Sequence, residues 1–332
     1  MDVRSSADRM QSPPGRGVER VPWLVRLAQL ALAGVALASV AAWMAPLGWP
    51  FELFVHFRPQ YGVGAVLLAI GLLLLRRPRL TVLATLIAAV HLWPGASGPQ
   101  AEASDTPCQR DAFTVVTANL SHRNSDPRRF LDWLTREPAD LVLLQEVTPA
   151  WAAALATLPG YPHRHLIVRS DPYGIGVLSR WPTNGLEARD FAGDGLPSLV
   201  GRLVAGREEV MLAAVHTHWP LLPGLMHRRD LAVSKLAEEV RQHPGPWIVG
   251  GDFNLTQYSP VFRRLLEEAG LRETRPHRAW APSWRADFWP LGIRIDHILI
   301  TRELCAEPAE VGPEIGSDHR PVRARLRARA PG

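Results

Sequence analysis

The segment from Trp247 to Asn254 constrains the fold of this 332-residue chain more than any other stretch. It is an apolar run of strand-forming residues that ends in two glycines, an aspartate and, two positions later, an asparagine. A buried strand that ends in this way presents polar groups at its C-terminal end. Asp252 and Asn254 are two residues apart, so an extended chain directs both side chains to the same side. The pattern predicts a functional edge of a sheet, and an ordinary turn after a strand is the alternative.

From Phe113 onward, short apolar runs alternate with amphipathic stretches, and Pro, Gly and Asp residues separate them. This alternation predicts an α/β domain whose middle section, residues 165–216, is antiparallel. Thr148-Pro149 and Ser259-Pro260 place a capping side chain and then a proline where a helix begins. The predicted strands are 113–119, 140–146, 165–168, 173–179, 199–204, 210–216, 247–254, 293–300, 307–311 and 322–328, and the predicted helices start at 126, 148, 225 and 259.

The beginning of the chain is predicted to form a membrane region behind a polar tail. Residues 1–20 carry four arginines and no apolar period, which is typical of a disordered cytoplasmic tail. Within 21–94, transmembrane helices are predicted at about 23–43, 61–75 and 80–93. The first run matches the roughly 20 residues that a bilayer-crossing helix requires. The other two are shorter, so three crossings are predicted and a re-entrant hairpin is the alternative.

The positions of the arginines predict the orientation of these helices. Basic loops stay on the cytoplasmic side, and two crossings separate the tail from the Arg76–Arg79 loop. The third helix would therefore lead the rest of the chain outside. Residues 95–107, rich in Gly, Ala, Ser and Pro, are interpreted as a linker to a soluble domain at 108–332. We expect a multi-pass protein of a bacterial cell membrane whose soluble domain is extracytoplasmic.

The charge and the cysteine content restrict the classes of partner and the kinds of site that this chain can have. The chain has 37 Lys and Arg residues against 32 Asp and Glu, and part of this small excess lies in the tail, so no specific nucleic acid is expected. A half-buried strand with a solvated face explains the alternating arginines at 323–329. Two cysteines exclude a disulfide-rich scaffold and a thiolate zinc cluster. Cys108 and Cys305 could pair if the domain is external.

Polar residues follow five predicted strands at the point where each strand ends. Carboxylates, amides and histidines in such positions are what a metal-assisted phosphoryl hydrolase requires, namely hard oxygen ligands for Mg²⁺, a base for water and donors to the phosphate. Any one of these polar residues, taken alone, could be a feature of an ordinary strand end without a function. The set comprises Asn119, Gln145 with Glu146, His216 with His218, Asp252 with Asn254, and Asp296 with the later Asp318 and His319.

In this order, the motifs resemble those of the endonuclease/exonuclease/phosphatase superfamily, whose members include DNase I-like nucleases, neutral sphingomyelinases and inositol polyphosphate phosphatases. The resemblance covers about residues 113–327. It implies an α/β fold, a two-sheet sandwich of the DNase I-like type with helices outside, preceded here by an all-α membrane region of about three helices. The motifs are Thr-Ala-Asn119, Leu-Leu-Gln-Glu146, Gly-Ile-Gly-Val-Leu-Ser-Arg180, Val-His216, Gly-Asp252-Phe-Asn254, Ile-Asp296-His and Ser-Asp318-His319-Arg-Pro321.

The resemblance also implies roles for individual residues. Glu146 would be the principal ligand of Mg²⁺, with Mn²⁺ as the alternative, and Asn119 and Asp318 would lie nearby in the metal and phosphate site. Either His216 or His218 could fill the phosphate-binding position, and His216 is preferred for its spacing to the next proline. The acidic residue that some nucleases carry just after the asparagine is missing, which weakens a nuclease interpretation.

The remaining implied roles concern the water and the phosphoryl group. Asp252 would orient or deprotonate the attacking water, and Asn254 and His216 would bind phosphoryl oxygens. His319, held by Asp296, would be the second acid/base or charge-stabilising group, because a carboxylate fixes the imidazole tautomer and stabilises its protonated form. The sequence leaves open whether Asp252 or His319 takes the proton of the water.

The predicted position outside a membrane restricts the range of candidate substrates. Tryptophans in the loops at 272–291 could meet a lipid, so we expect hydrolysis of a lipid-linked phosphate or pyrophosphate, with undecaprenyl pyrophosphate the most concrete candidate. The layout is also similar to that of an actinobacterial membrane protein linked to teicoplanin resistance, which implies a context of cell-envelope antibiotic resistance. The alternatives are an external nuclease or sphingomyelinase-like phosphodiesterase, and a non-catalytic membrane receptor. The oligomeric state stays open.

Overall fold

The N-terminal part of the chain is helical in the computed structural model, which describes residues 22–93, 112–205, 208–274, 276 and 281–328. The predicted tail at 1–20, the predicted linker at 95–107 and Cys108 lie outside the described residues. The N-terminal elements are α1 (Pro22–Trp43), a 3-10 helix at Ala45–Leu47, α2 (Glu52–Val55), α3 (Arg58–Leu74) and α4 (Pro78–Leu92).

Helices α1, α3 and α4 form a small bundle. Leu32, Leu72 and Ala84 are its buried centre, and Ser39 of α1 is hydrogen-bonded to His91 of α4 over 2.8 Å. By length and composition, α1 is the one described helix that could cross a membrane by itself, since it has 22 residues against 17 in α3 and 15 in α4. The predicted helical region of about three helices is confirmed. The prediction of three crossings is supported only for its first helix.

The rest of the described chain contains two mixed β-sheets. The strands of the first sheet are β1 (Phe113–Asn119), β2 (Leu141–Gln145), β3 (His163–Ile167), β4 (Ile175–Ser179), β11 (Leu304–Ala306), β12 (Glu310–Val311) and β13 (Val322–Ala328). Those of the second are β5 (Thr183–Arg189), β6 (Ser198–Ala205), β7 (Glu208–His216), β8 (Trp247–Asp252), β9 (Arg272–Glu273) and β10 (Asp296–Ile300). The first sheet runs in the order β11-β13-β1-β2-β4-β3, with β12 paired to β13, and the second in the order β5-β6-β7-β8-β10-β9.

Each sheet has one parallel pair near its centre, β1 with β2 and β7 with β8, and the other described pairs are antiparallel. Parallel neighbours need a crossover connection, which is usually a helix. Here α5 (Arg128–Arg136) connects β1 to β2, and α7 (Pro223–Gln242) connects β7 to β8. The parallel pairs therefore bring the C-terminal ends of consecutive strands to one edge of each sheet.

Three apolar layers hold the sandwich together. Val115, Leu143 and Ile248 belong to the core between the two sheets. The outer face of the first sheet packs against α5 and α6 (Pro149–Ala156), and that of the second packs against α7 and α8 (Pro260–Ala269). The predicted two-sheet α/β sandwich of the DNase I-like type, with helices outside, is confirmed.

The local predictions were most accurate where the pattern was strongest. Thr148 and Ser259 cap α6 and α8 with their side chains, as predicted. The strand predicted at 293–300 begins only at Asp296. The strand β5 was not predicted, because its side chains are exposed or only half-buried and give no apolar alternation.

A buried ion pair joins the helical region to the α/β domain. Glu52 of α2 contacts Arg229 of α7, and both side chains are almost completely buried. Ser259 donates a second hydrogen bond to Glu52 over 2.6 Å, and Asp230 also accepts from Arg229. Burial opposes ionisation of Glu52, but the charges of Arg229 and His56 and the hydrogen bonds hold its pKa below the ordinary value. The two parts of the chain are therefore fixed to each other by charged groups that exclude water.

Replacing Glu52 with alanine is expected to lower the free energy of unfolding by about 3 kcal/mol, because Arg229 would lose one of its carboxylate partners inside the protein. The double variant Glu52→Leu, Arg229→Leu should recover most of this loss, since apolar side chains can replace a buried ion pair. Denaturant unfolding of the full-length protein, followed by tryptophan fluorescence, measures both effects. Glu267→Ala, at an exposed position of α8, is the control. A double variant no more stable than Glu52→Ala would contradict this account of the junction.

Candidate active site

Five of the predicted site residues continue the face of the sheets that lines the inter-sheet core. Strand side chains alternate between two faces, so residues two or four positions apart share a face. Apolar residues of this parity fill the core between the sheets. At the strand ends the residues of the same parity are polar, and they are Asn119 on β1, Gln145 on β2, His216 on β7, Asp252 on β8 and Asp296 on β10. The candidate site is therefore the polar end of the inter-sheet core.

Strand register brings these ends side by side. In the parallel pair of β1 and β2, Asn119 lies opposite Gln145. In the second sheet, Asp252 lies opposite His216 on β7 and opposite Asp296 on β10. Each sheet contributes one row of polar side chains, and a hydrogen bond from Asn119 to Asp252 joins the two rows.

Glu146 reaches the site through an uncommon backbone conformation. It follows β2 directly, and its φ of 61° lies in the left-handed region that non-glycine residues rarely adopt. Its carboxylate accepts hydrogen bonds from the Asn119 amide (3.0 Å) and the His122 backbone amide (2.7 Å), and lies 2.5 Å from His122 Nδ1. Burial opposes ionisation, but the hydrogen bonds from His122 and Asn119 hold the pKa of Glu146 below its ordinary value. Glu146 is thus an ionised carboxylate with 13% of its side chain still exposed.

Asp252 is the centre of the site, and polar groups surround its carboxylate. Its Oδ1 accepts a hydrogen bond from the backbone amide of Asn254 at 2.9 Å. Its Oδ2 lies 3.1 Å from Asn119 Nδ2, 3.6 Å from His216 Nε2 and 3.7 Å from His319 Nε2. Burial and the charge of a neighbouring carboxylate raise the pKa of Asp252 to about 7. The group can therefore exchange a proton near neutral pH.

That neighbouring carboxylate belongs to Asp296, which is paired with His319. The distance from His319 Nδ1 to Asp296 Oδ2 is 2.9 Å. Burial disfavours a charged imidazole, but the charges of Asp296 and Asp252 outweigh it and raise the pKa of His319 to about 10. His319 is therefore an imidazolium at neutral pH, held between two aspartates.

The geometry distinguishes the two candidate histidines of the β7 end. His216 Nε2 faces Asp252, its Nδ1 has no hydrogen-bond partner, and burial lowers its pKa to about 4. His218 uses both nitrogens elsewhere, because its Nδ1 lies 3.1 Å from the Tyr173 hydroxyl and its Nε2 lies 2.8 Å from Asp194 Oδ2. A neutral His216 with a free nitrogen can bind a phosphoryl oxygen, whereas His218 supports the wall of the site.

Asn254 and Asp318 occupy the margin of the site. Asn254 has a left-handed backbone with φ of 49°, and its amide donates to the Thr217 carbonyl oxygen over 2.9 Å. Asp318 is exposed, and its carboxylate accepts a hydrogen bond from Trp284 Nε1 at 3.2 Å. No hydrogen bond or ion pair joins Asp318 to Glu146 among the described residues. The structure thus joins Asn119 directly to Glu146, and it joins the carboxylate of Asp318 to Trp284.

Sequence reasoning missed three residues that support the site. His122 holds the carboxylate of Glu146, and Tyr173 and Asp194 hold the ring of His218. His122 lies three positions after Asn119, in the motif where nucleases can carry an acidic residue, and its position was the one available signal. Tyr173, predicted as the first residue of a strand, lies in the loop ahead of β4, and Asp194 lies in the loop between β5 and β6, so only the fold could place them.

The buried carboxylates fit a divalent cation. Asp252 and Asp296 are close neighbours inside the protein, and Asp296 Oδ1 has no hydrogen-bond partner. Together with His319 they offer ligand atoms within 4.8 Å of one another. Glu146 is linked to this group through Asn119, whose amide bonds both Glu146 and Asp252. Hard oxygen donors of this kind suit Mg²⁺ or Mn²⁺.

Comparison with known proteins places the chain among sequence relatives. The model of the endonuclease/exonuclease/phosphatase family matches residues 116–319. The chain is also 27% identical over 253 residues to the uncharacterized protein YbhP of Escherichia coli K12, an alignment that covers 66% of this chain and 97% of YbhP. These relatives give no support to the resemblance to a teicoplanin-resistance protein.

Solved structures share the fold. An endonuclease/exonuclease/phosphatase protein of Beutenbergia cavernae superposes with a TM-score of 0.55 at 20% identity, covering 67% of this chain and 72% of that one. The D. rerio TDP2 complexed with a single-strand DNA product superposes with a TM-score of 0.55 at 15% identity, covering 66% and 100%. The fold is that of metal-dependent phosphoesterases, and it carries a buried Asp/His cluster. Because the family match spans more than half of its length, the chain belongs to the endonuclease/exonuclease/phosphatase family.

Proposed function

We propose that the protein is a membrane-anchored, metal-dependent hydrolase of a lipid-linked phosphate or pyrophosphate, with undecaprenyl pyrophosphate as the most concrete substrate. It would act at the outer face of a bacterial membrane, in the context of cell-envelope antibiotic resistance. One observation carries the proposal. The exposed apolar loops beside the candidate site lie on the edge of the domain that contacts the apolar helices.

The helical region supports a position in the membrane. All three long helices expose large apolar side chains, among them Leu37 of α1 (72% exposed), Leu74 of α3 (77%) and Leu86 of α4 (60%). Soluble proteins rarely leave a contiguous apolar surface of this kind in water. We infer that α3 and α4 enter the bilayer beside α1, although each is short for a crossing helix.

The arrangement of the helices supports an external domain. The end of α1, the start of α3 and the end of α4 meet at the junction with the domain, where Gln60 donates a hydrogen bond to the Gly292 carbonyl oxygen. Arg76 and Arg77 lie between α3 and α4, and Arg79 lies in the first turn of α4, all at the other end of these helices. Basic segments stay on the cytoplasmic side, so the domain would lie outside. Cys305 is disulfide-bonded, as is typical of an oxidising compartment.

Two apolar loops connect the candidate site with the junction. Trp219, Leu221 and Leu222 are exposed on the loop between His216 and α7. Phe288 and Leu291 are exposed on a second loop. Within the loops predicted at 272–291, residues 275 and 277–280 lie outside the described residues.

Each apolar loop connects a segment beside the site to a segment that contacts the helical region. The first loop leads into α7, whose Met226 packs against Gly48 ahead of α2. The second begins beside Trp284, which is hydrogen-bonded to Asp318, and ends beside Gly292, which contacts α3. An amphiphilic substrate could thus keep its lipid part against the membrane side while its phosphate enters the site.

The site residues can carry out a hydrolysis. Asp252, which titrates near neutral pH, would accept the proton of the attacking water, because a protonated His319 cannot. His319 would instead stabilise the negative charge that develops on the phosphoryl group, with Asp296 stabilising the imidazolium. His216 and Asn254 would orient the phosphoryl oxygens.

Residues for a metal ion are present on both sides of Asn119. Glu146 with Asn119, and Asp296, whose Oδ1 has no hydrogen-bond partner, are the residues that would hold the ion. When bound, Mg²⁺ or Mn²⁺ would supply positive charge to the phosphoryl oxygens and lower the pKa of a coordinated water.

Release of inorganic phosphate from undecaprenyl pyrophosphate tests the proposal. The full-length protein in detergent with Mg²⁺ is expected to release phosphate, and Glu146→Ala is expected to release none. Cleavage of sphingomyelin or single-stranded DNA in place of the pyrophosphate would keep the hydrolase and change the substrate. Substrate binding without any hydrolysis would favour a receptor that has lost the reaction.

The charge of the last strand gives no support to a nucleic acid substrate. Arg323 pairs with Glu137, and Arg325 and Arg327 pair with Glu307. A nuclease needs unpaired positive charge for the phosphates that flank the scissile one, and its binding falls steeply with salt. Each of these three arginines already has a carboxylate partner within the domain.

Removal of divalent cations is expected to abolish hydrolysis and to leave the fold intact. EDTA would withdraw the positive charge on which the chemistry depends, whereas the three apolar layers do not need it. Phosphate release should return when Mg²⁺ is added in excess of the chelator. Circular dichroism before and after EDTA checks the fold. Full activity after exhaustive chelation would contradict the metal-dependent proposal.

A further inference from the structure

A groove of about 550 Å³ opens at the junction between the helical region and the α/β domain. Its walls come from the end of α1, the start of α3, the end of α4 and the start of α8. None of the predicted site residues lines it. The groove is therefore separate from the candidate active site and is shared by both parts of the chain.

Two arginines face this groove without a carboxylate partner. Arg58 begins α3 and Arg263 lies on α8, and neither forms an ion pair with a described residue. Arg58 donates one hydrogen bond, over 3.3 Å, to the Val90 carbonyl oxygen, while its buried Nε has no partner. Two unpaired guanidinium groups beside one cavity suit an anion such as a phosphate group.

The other walls of the groove are aromatic and apolar. Trp43 is the last residue of α1 and Trp93 follows α4, and both are strongly exposed, at 66% and 69%. The guanidinium carbon of Arg58 lies 5.9 Å from the Trp43 ring and 5.6 Å from the Tyr258 ring. Tryptophans at helix ends are typical of the level of the lipid headgroups. Small side chains at Ala42 and Ala89 leave the space between them open.

We propose that this groove binds an anionic phospholipid, with the phosphate between Arg58 and Arg263 and the acyl chains along the apolar faces of α1 and α4. Charge complementarity favours an anionic headgroup over a zwitterionic one, because the described part of the chain provides no acidic side chain in the groove. The apolar walls favour a lipid over free phosphate. The inference rests on the membrane position proposed above, and it does not depend on the proposed reaction.

The bound lipid would connect the membrane to the catalytic strand. Tyr258 and Pro260 line the groove, and they lie a few residues after Asp252 and Asn254. His56, ahead of α3, is hydrogen-bonded to Thr256 in the same segment over 3.0 Å. A lipid in the groove would therefore contact the segment that follows the candidate active site and fix the domain relative to the bilayer.

Native mass spectrometry of the full-length protein tests this site. The protein is released from nanodiscs that contain equal amounts of phosphatidylglycerol and phosphatidylcholine, and the retained lipid is counted. The wild type is expected to retain phosphatidylglycerol preferentially. Arg263→Gln and Arg58→Gln are each expected to reduce this retention about tenfold, since each removes one charged donor to the phosphate.

The controls separate this site from folding and from catalysis. Arg264→Gln changes the next residue on α8, which is exposed and lines a different cavity, and should retain lipid like the wild type. The Arg263 side chain has no hydrogen bond or ion pair among the described residues, so its replacement should leave the unfolding midpoint unchanged. Glu146→Gln should also retain the lipid, because it affects only the active site. Equal retention of both lipids by the wild type, unchanged retention in both arginine variants, or displacement of the lipid by inorganic phosphate alone would overturn the proposal.

Discussion

Replacing Glu146 with glutamine is expected to reduce hydrolysis about 10³-fold, for whichever substrate the wild-type protein cleaves. Its carboxylate is ionised, partly exposed and oriented by Asn119 and His122, as expected of a metal ligand. Glutamine keeps the volume and removes the charge that would hold the cation. A loss of this size corresponds to about 4 kcal/mol of transition-state stabilisation, which matches the several kcal/mol that a catalytic metal ion supplies.

The measurement is kcat at saturating Mg²⁺, together with the Mg²⁺ concentration that gives half-maximal activity. A metal-ligand role predicts that Glu146→Gln also needs much more Mg²⁺. Glu267→Gln, at an exposed position of α8, keeps the same chemical change outside the site and should behave as wild type. Normal Mg²⁺ dependence in a Glu146→Gln variant with normal kcat would remove Glu146 from the metal site.

Asp252→Asn is expected to lower kcat by about 10³- to 10⁴-fold while the protein becomes more stable. The variant loses the proposed base, and general base catalysis contributes up to about 10⁴-fold. Stability should increase because the ionised Asp252 is buried and is repelled by the carboxylate of Asp296. The burial and the repulsion raise the pKa of Asp252 to about 7. A raised pKa means that the folded protein loses stability as the pH rises from about 4 to about 7. Asparagine cannot ionise and avoids that loss.

Unfolding midpoints at pH 8 with EDTA present measure the stability effect without the influence of a metal ion. The matched control is Asp140→Asn, since Asp140 lies at the opposite end of the first sheet, where it accepts a hydrogen bond from the Thr114 backbone amide over 2.8 Å. This control should retain kcat and lose some stability. If Asp252→Asn instead kept kcat near the wild-type value, the proton would have to go to another group.

Much of the fold could be predicted because its signals are local. The strand predicted at 113–119 has the same limits in the structure, and Thr148 and Ser259 cap helices as expected. Strand β5 was missed because its exposed residues carry no apolar period. The helices α3 and α4 were found, but their number of crossings depends on length, and neither reaches the length of α1.

The candidate site was predicted in part because polar residues at strand ends are visible in the sequence. Asn119, His216 and Asp252 share the parity of the inter-sheet core, so the sequence pattern already places them on one face. The supporting contacts are different, since they connect residues far apart in the chain. Tyr173 and Asp194 meet His218 only because loops of both sheets come together at this end.

The sequence by itself determined the two-part organisation, the α/β sandwich and the identity of the polar strand ends, because periodicity and capping act over a few residues. Only the tertiary structure decided which histidine faces Asp252, that the Asp318 carboxylate is hydrogen-bonded to Trp284, and that His319 is held protonated between two aspartates. These outcomes depend on burial and on distances between charges, which arise when the two sheets pack face to face. A pKa or an ion pair is a property of that packing, so no stretch of the sequence contains it.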